Sequence, residues 1–317
     1  MSACLAVYGN SAYVNDIRIE RLKTAKPYPK GICHNKAGRI VLKGYVDGKR
    51  AKLYEAANAD HARFVEAVSC NKDIGCYFPT VHAAKEQWVM TQWVHGKRMR
   101  KKDGKRLAQM AQLLADLHHV SAASLPASHF DYWNNYLFPR FLKATALLKE
   151  RKIAEDIQDA VGRKWIRNPV VMHPDATWTN TVVDNNNRLM VIDNELLTTG
   201  GIPLLDICNQ CHSLSPHCAR IVASAYLNLT AKRGESLSDD TPAILNMAWL
   251  ARLAGSAYVK GKIALVHTLV DQYKKGTCLL PEGVQLALKE RLMEPATAHA
   301  RAMRCQKQSR ETAIAKD

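Results

Sequence analysis

Apolar and polar positions alternate with period two in short blocks of the first hundred residues, then change to a helical period for most of the remainder. From Tyr28 to Tyr54 the order reads strand, turn, strand, turn, strand: "YPKGICH", "NKAG", "RIVLKGYV", Asp47-Gly48, "KRAKLYE". Asp-Gly between two alternating runs predicts a tight hairpin, because both central positions tolerate positive φ. A helix is predicted at "DHARFVEAVSCN", with Phe64, Val65 and Val68 on one face, ending before Gly75 and Pro79. "TVHAAKEQWVMTQWV" predicts two more strands, closed at Gly96.

Beyond Gly96 the period is helical. "RLAQMAQLLADLHHVS" places Leu107, Met110, Leu113, Leu114 and Leu117 on one side, and an aromatic-rich helix, "FDYWNNYLFPRFLKATALLKE", follows. A strand, loop, strand, turn and strand then run through "PVVMHPDATWTNTVVDNNNRLMVIDNE", and from Pro203 onward the pattern is helical. The expected fold class is α+β and bilobal. Residues 1–95 form a small antiparallel-sheet lobe, and 96–317 a larger helical lobe with a frayed basic tail. Ligands favour the cleft between such lobes.

Composition adds three constraints. An apolar content of 47% over 317 residues supports a real core rather than disorder. The N-terminal stretch lacks the basic-then-apolar pattern of an export signal, and the most apolar late segment is broken by Asn246 and Arg252, so a cytoplasmic chain without a transmembrane segment is expected. Nine cysteines in such a chain read as reduced thiols. "CNQCH" at Cys208 to His212 resembles a haem-attachment or zinc pattern, but it lacks an export context and a second paired element, so buried thiols are expected there.

The charge is strongly one-sided, with 45 Lys and Arg against 29 Asp and Glu, for a formal net charge of +16. That field attracts anionic molecules and acidic surfaces. The densest basic run, "KRMRKKDGKR", reads as a solvated loop rather than a nucleic-acid patch.

The chemistry concentrates in "HPDATWTNTVVDNNNRLMVIDNE", His173 to Glu195. Asp175 lies in the loop between two apolar strands. The turn at "NNN" sends the chain back, so Asp193 returns to the strand end beside Asp175 and Asn180. Two carboxylates and an amide carbonyl suit a hard cation such as Mg²⁺, which takes few protein ligands. Phosphoryl transfer needs such a site together with a base that orients the attacking hydroxyl.

His173-x-Asp175-x-x-x-x-Asn180, then "VIDNE", then Asp206 in "GIPLLDICN" resembles the signature of the aminoglycoside phosphotransferase and choline kinase superfamily, relatives of protein kinases. The resemblance implies ATP and Mg²⁺ as cofactors, Asp175 as the catalytic base, and Asn180 and Asp193 as metal ligands. It also implies that Lys52 contacts the nucleotide phosphates with Glu66 as its ion-pair partner, and that the connector backbone near Gln92 and Val94 meets the adenine edge. His173 would bracket the loop and Asp206 would hold its backbone. "LADLHHV" resembles a helix that ends in Leu-His in many members.

Departures from the family pattern are visible. "ATWT" replaces the usual residues between Asp175 and Asn180, so Trp178 needs a pocket of its own. Asn194 stands where an aromatic is usual, and "HNKAG" is poor in glycine for a phosphate-covering turn. The expected activity is phosphorylation of a hydroxyl on a small molecule such as a sugar, amino alcohol or aminoglycoside-like compound. The basic charge leans toward an anionic or membrane-associated acceptor, with a lipopolysaccharide core sugar kinase as one alternative. A non-catalytic kinase-fold binding protein is another, whereas nucleic acid is not an expected partner. Lys52 and Glu66 also admit a plain reading as solvated surface charges, and the aromatics from Phe130 to Phe138 and from Trp249 to Tyr258 as core rather than substrate contacts.

Overall fold

The computed structural model describes residues 7–8, 10–24, 40–101, 103–165 and 170–293. Twelve strands and nine helices of at least nine residues are found among them. The first seven strands make one antiparallel sheet: β1 (Val7–Tyr8), β2 (Ser11–Val14), β3 (Ile17–Thr24), β4 (Val41–Val46), β5 (Lys49–Glu55), β6 (Val81–Lys85) and β7 (Trp88–Gln92). Their spatial order is β1-β2-β3-β4-β5-β7-β6. The β4–β5 hairpin turns at Asp47 and Gly48, with φ of 48° and 73°, as the Asp-Gly pair requires. The strands β2 and β3 were not legible in the sequence, because Arg18, Glu20 and Lys23 are exposed and leave too little apolar alternation. "YPKGICH" and "NKAG" lie outside the described residues, as does the C-terminal tail.

Alternation along the strands divides the sheet into two faces. Ala51, Leu53, Trp88 and Met90 pack with Ala12, Val14, Ile19 and Val46 in a separate small core on one face. On the other face, Tyr54 and Val89 join the main core together with α1 (Ala59–Cys70). Asn58 caps α1 by accepting from the His61 amide at 2.7 Å.

The helical lobe holds α2 (Gly104–His119), α3 (Phe138–Leu147), α4 (Arg151–Trp165), α5 (Pro203–Cys211), α6 (Pro216–Lys232), α7 (Thr241–Val259), α8 (Ile263–Lys274) and α9 over 282–293. Phe130, Tyr132, Trp133 and Trp249 are buried, so these aromatics serve as core. Trp133–Leu137 forms a π-helical turn leading into α3. Cys208 and Cys211 are buried free thiols within α5, and burial pushes both thiol pKa values up. No helix among the described residues is long and apolar enough to cross a membrane.

Within the basic run after the connector, Lys97, Arg98, Arg100 and Lys105 are exposed as expected, whereas Lys101 and Arg106 are tied into the structure. Gly96–Arg98 forms β8 and pairs with β10 (Thr181–Asp184), which pairs in turn with β11 (Leu189–Val191). Arg106 is buried and donates to the Gln109 side chain at 2.6 Å and to the Asn187 carbonyl at 3.1 Å. The backbones of β8 and β10 approach so closely that a Cβ on Gly96 would stand 2.1 Å from the Val183 carbonyl. Replacing Gly96 with Ala is therefore expected to lower the unfolding free energy by roughly 1–3 kcal/mol in a denaturant titration, as overpacking does.

Candidate active site

β9 (Val171–Met172) delivers the loop that begins at His173, and it pairs with β12 (Thr198–Thr199). The His173 imidazole is fully buried, with Nε2 3.1 Å from Asn194 Oδ1 and its ring stacked 6.2 Å from Phe78. Its backbone amide donates to Asp206 Oδ2 at 2.8 Å. The same Asp206 oxygen lies 3.1 Å from His118 Nε2, and His118 Nδ1 lies 2.8 Å from the Tyr226 hydroxyl. Asp206, in the first turn of α5, thus ties the loop backbone to α2 and α6 from a fully buried position. Both contacts fall on Oδ2, whereas Oδ1 is buried without a hydrogen-bond partner among the described residues.

Asp175 follows two residues on and is 8% exposed. Asn180 Nδ2 donates to Asp175 Oδ2 at 2.6 Å and to the Asp175 carbonyl at 3.0 Å, closing the loop on itself. Both of those bonds are made by the amide nitrogen, so Oδ1 is the Asn180 atom that could ligate a cation. The Asn180 carbonyl accepts from the Ile192 amide at 2.8 Å, which sets the end of β11 beside the loop. The next residue, Asp193, has φ 68° and ψ 58°, a left-handed conformation uncommon for any residue but glycine. Such strain is concentrated at functional turns. Here it aims both Asp193 and Glu195 at one cation.

That cation is Lys52. Its Nζ lies 2.7 Å from Asp193 Oδ1 and 2.6 Å from Glu195 Oε1, across 141 and 143 residues of chain. Burial pulls the ammonium down, but the two carboxylate charges and their hydrogen bonds outweigh it and hold the pKa above the ordinary lysine range. The Lys52 ammonium also stands 5.0 Å from the centre of the Tyr54 ring.

Glu66 does not hold Lys52, contrary to the sequence expectation. It is half-buried on the flank of α1, whose inner face is His61, Ala62, Phe64, Val65 and Val68. Asp193 and Glu195 bond the ammonium in its place. His61 does the tethering of α1 instead: Nδ1 accepts from the Ala57 amide at 3.0 Å, and Nε2 lies 2.7 Å from the Leu197 carbonyl, two residues past Glu195. The signal for Glu195 was present in "VIDNE" as a second acid two residues after Asp193.

Trp178 finds its pocket on the outer side of the loop. Its ring lies under Lys101 Nζ at 4.5 Å, its indole N–H donates to the Ser213 hydroxyl, and Lys101 donates to the Ser213 carbonyl at 2.9 Å. The bulky residue therefore braces the loop against the segment that follows α5. At the connector, the Gln92 amide is committed to the Thr80 carbonyl at 2.8 Å and the Trp93 amide to Arg50 at 3.0 Å. Gln92 and Val94 line a cavity of about 300 Å³ with Phe78, Asp184, Arg188 and Met190, and this lining does not include Lys52 or the loop from His173 to Asn180.

The donor set fits a hard divalent cation. Among the described residues no group of three His, Cys, Asp or Glu side chains is arranged to hold a metal alone. An amide oxygen and one carboxylate, with Asp193 39% exposed, match an ion that keeps most of its own water and phosphate ligands.

The sequence profile of the phosphotransferase enzyme family matches residues 28–235. The chain belongs to that family. As a member it is a small-molecule phosphotransferase. The fold is shared with a putative fructosamine-3-kinase from Thermobifida fusca (14% identity, 81% of this chain and 96% of that one, TM-score 0.53). It is shared also with choline kinase LicA from Streptococcus pneumoniae (13%, 80% and 92%, 0.50) and with a LicA complex with AMP (11%, 82% and 94%, 0.53). At these identities the likeness is one of fold. No curated protein sequence matches the chain.

Proposed function

We propose that this phosphotransferase transfers the γ-phosphoryl group of ATP to a hydroxyl of a small molecule. The observation that carries the reading is the convergence of Lys52 on Asp193 at 2.7 Å beside a loop in which Asn180 fixes Asp175 at 2.6 Å. Magnesium-bound ATP supplies the transferable group. Asp175 orients the acceptor hydroxyl and accepts its proton, while Asn180 Oδ1 and the Asp193 carboxylate would hold the metal ion. Lys52 neutralises phosphate charge, with Glu195 keeping its ammonium in place. Val94 offers the connector N–H for the adenine edge, since the Gln92 and Trp93 amides are already bonded. Positioning and charge stabilisation in a closed cleft account for most of the rate in this chemistry.

The AMP bound by LicA supports an adenine nucleotide. The pairing of β8 with β10 supports residues 1–95 and 96–317 as the two lobes. The formal net charge of +16 favours an anionic acceptor within the class of hydroxylated small molecules.

A coupled ADP-release assay over sugars, amino alcohols, aminoglycosides and their phosphorylated forms tests the reading directly. Turnover on one of these classes, dependent on Mg²⁺, is expected; an absence of ADP release with all of them sinks the catalytic reading. Asp193→Ala is expected to lose the Mg²⁺-dependent part of ATP binding in isothermal titration. Retention of that part at wild-type strength would remove Asp193 from the metal site.

A further inference from the structure

Strand register places three lysines side by side on the sheet face that carries Lys52. Lys52 on β5 stands directly opposite Lys43 on β4, and Lys43 directly opposite Lys23 on β3. Directly paired residues project to the same face, so the three ammonium groups share the side from which Lys52 reaches Asp193. Like charges in this arrangement repel and destabilise a sheet.

Only Lys52 is neutralised. Among the described residues no ion pair is found for Lys23 or Lys43, and both are exposed. The sequence joining β3 to β4 adds Lys26, Lys30, Lys36 and Arg39 but no Asp or Glu. Lys43 is directed along the sheet toward the connector, with Nζ 5.0 Å from the centre of the Trp93 ring. Adjacent strands stand about 4.8 Å apart, so the row runs roughly 10 Å outward from the Asp193 site.

We propose that Lys43, seconded by Lys23, is a nucleotide-binding residue that contacts the polyphosphate tail of ATP. This deepens the kinase reading and rests on it. A glycine-rich turn would meet phosphates with backbone amides, and "HNKAG" offers few glycines for such an approach. Side-chain ammonium groups on a strand supply the missing positive charge as compact point donors. The repulsion within the row is relieved only when a multiply charged anion lies across it.

The test measures binding of ATP, inorganic tripolyphosphate and adenosine by titration calorimetry to the wild type, Lys43→Gln and Lys43→Gln/Lys23→Gln, with thermal midpoints alongside. The single variant is expected to bind ATP and tripolyphosphate about tenfold more weakly and the double variant more weakly still, with adenosine unchanged. Its midpoint should stay level or rise, because a repulsive neighbour is gone. Unchanged ATP affinity, an equal loss for ATP and adenosine, or a lowered midpoint would each overturn the proposal. A wild type that binds none of the three would overturn the nucleotide reading with it, whereas a wild type that binds ATP no better than Lys43→Gln removes this inference alone.

Discussion

Replacing Asp175 with Ala is expected to lower kcat on the order of a thousandfold while leaving nucleotide affinity close to that of the wild type. The size follows from its place. Asp175 is 8% exposed, held through Oδ2 by Asn180 at 2.6 Å, and it belongs to the loop rather than to the Lys52 ion pairs. Without it no carboxylate is fixed to take the hydroxyl proton, yet Lys52, Asp193 and Glu195 keep their mutual contacts. Asp175→Asn sharpens the test: it preserves shape and the Asn180 neighbourhood but cannot act as a base, so its rate should fall as far with an unchanged thermal midpoint. Steady-state kinetics and isothermal titration on the same preparations check both halves. A variant that turns over at the wild-type rate would remove Asp175 from the chemistry.

Asp206→Ala should act in the opposite way, through stability first. It is expected to lower the unfolding free energy by roughly 3–5 kcal/mol, because it leaves two buried polar groups without their shared partner, at about 1–3 kcal/mol each. Removing the carboxylate leaves the His173 amide and His118 Nε2 without the oxygen they share at 2.8 Å and 3.1 Å, in a part of the core closed to solvent. The midpoint should fall on the order of 10 °C in a thermal melt, and activity should fall with it because the catalytic loop loses its anchor. Asp206→Asn retains one acceptor oxygen and should recover part of the loss. Equal stability of the alanine variant and the wild type would mean that the loop is held by other contacts.

Local features were readable from neighbouring residues. Alternation in "RIVLKGYV" and "KRAKLYE" marks β4 and β5, and the intervening Asp-Gly marks their turn, because both depend only on side chains a few positions apart. The spacing of Asp175 and Asn180 was informative for the same reason, since both sit in one short loop that closes on itself. Where neighbours carried little signal, as in β2 and β3 with their exposed charges, the strands escaped notice. The basic run from Lys97 to Arg106 was legible in part: most of it is exposed, as its charge density suggests, and only the meeting with Asn187, Trp178 and Ser213 turns Arg106 and Lys101 into supports.

The sequence by itself determined the β4–β5 hairpin, the spacing of Asp175 and Asn180 and the family, because these reside in local periodicity and in a motif contained within one hairpin. Tertiary structure decided which acids hold Lys52, since Glu66 and Glu195 are equivalent as residue types and are separated only by where folding puts them. It also decided that Asp206 supports His173 through a network including His118 and Tyr226, residues up to 108 positions apart. An ion pair is set by distance and burial in three dimensions, and neither quantity exists until the strand register and helix packing have been fixed.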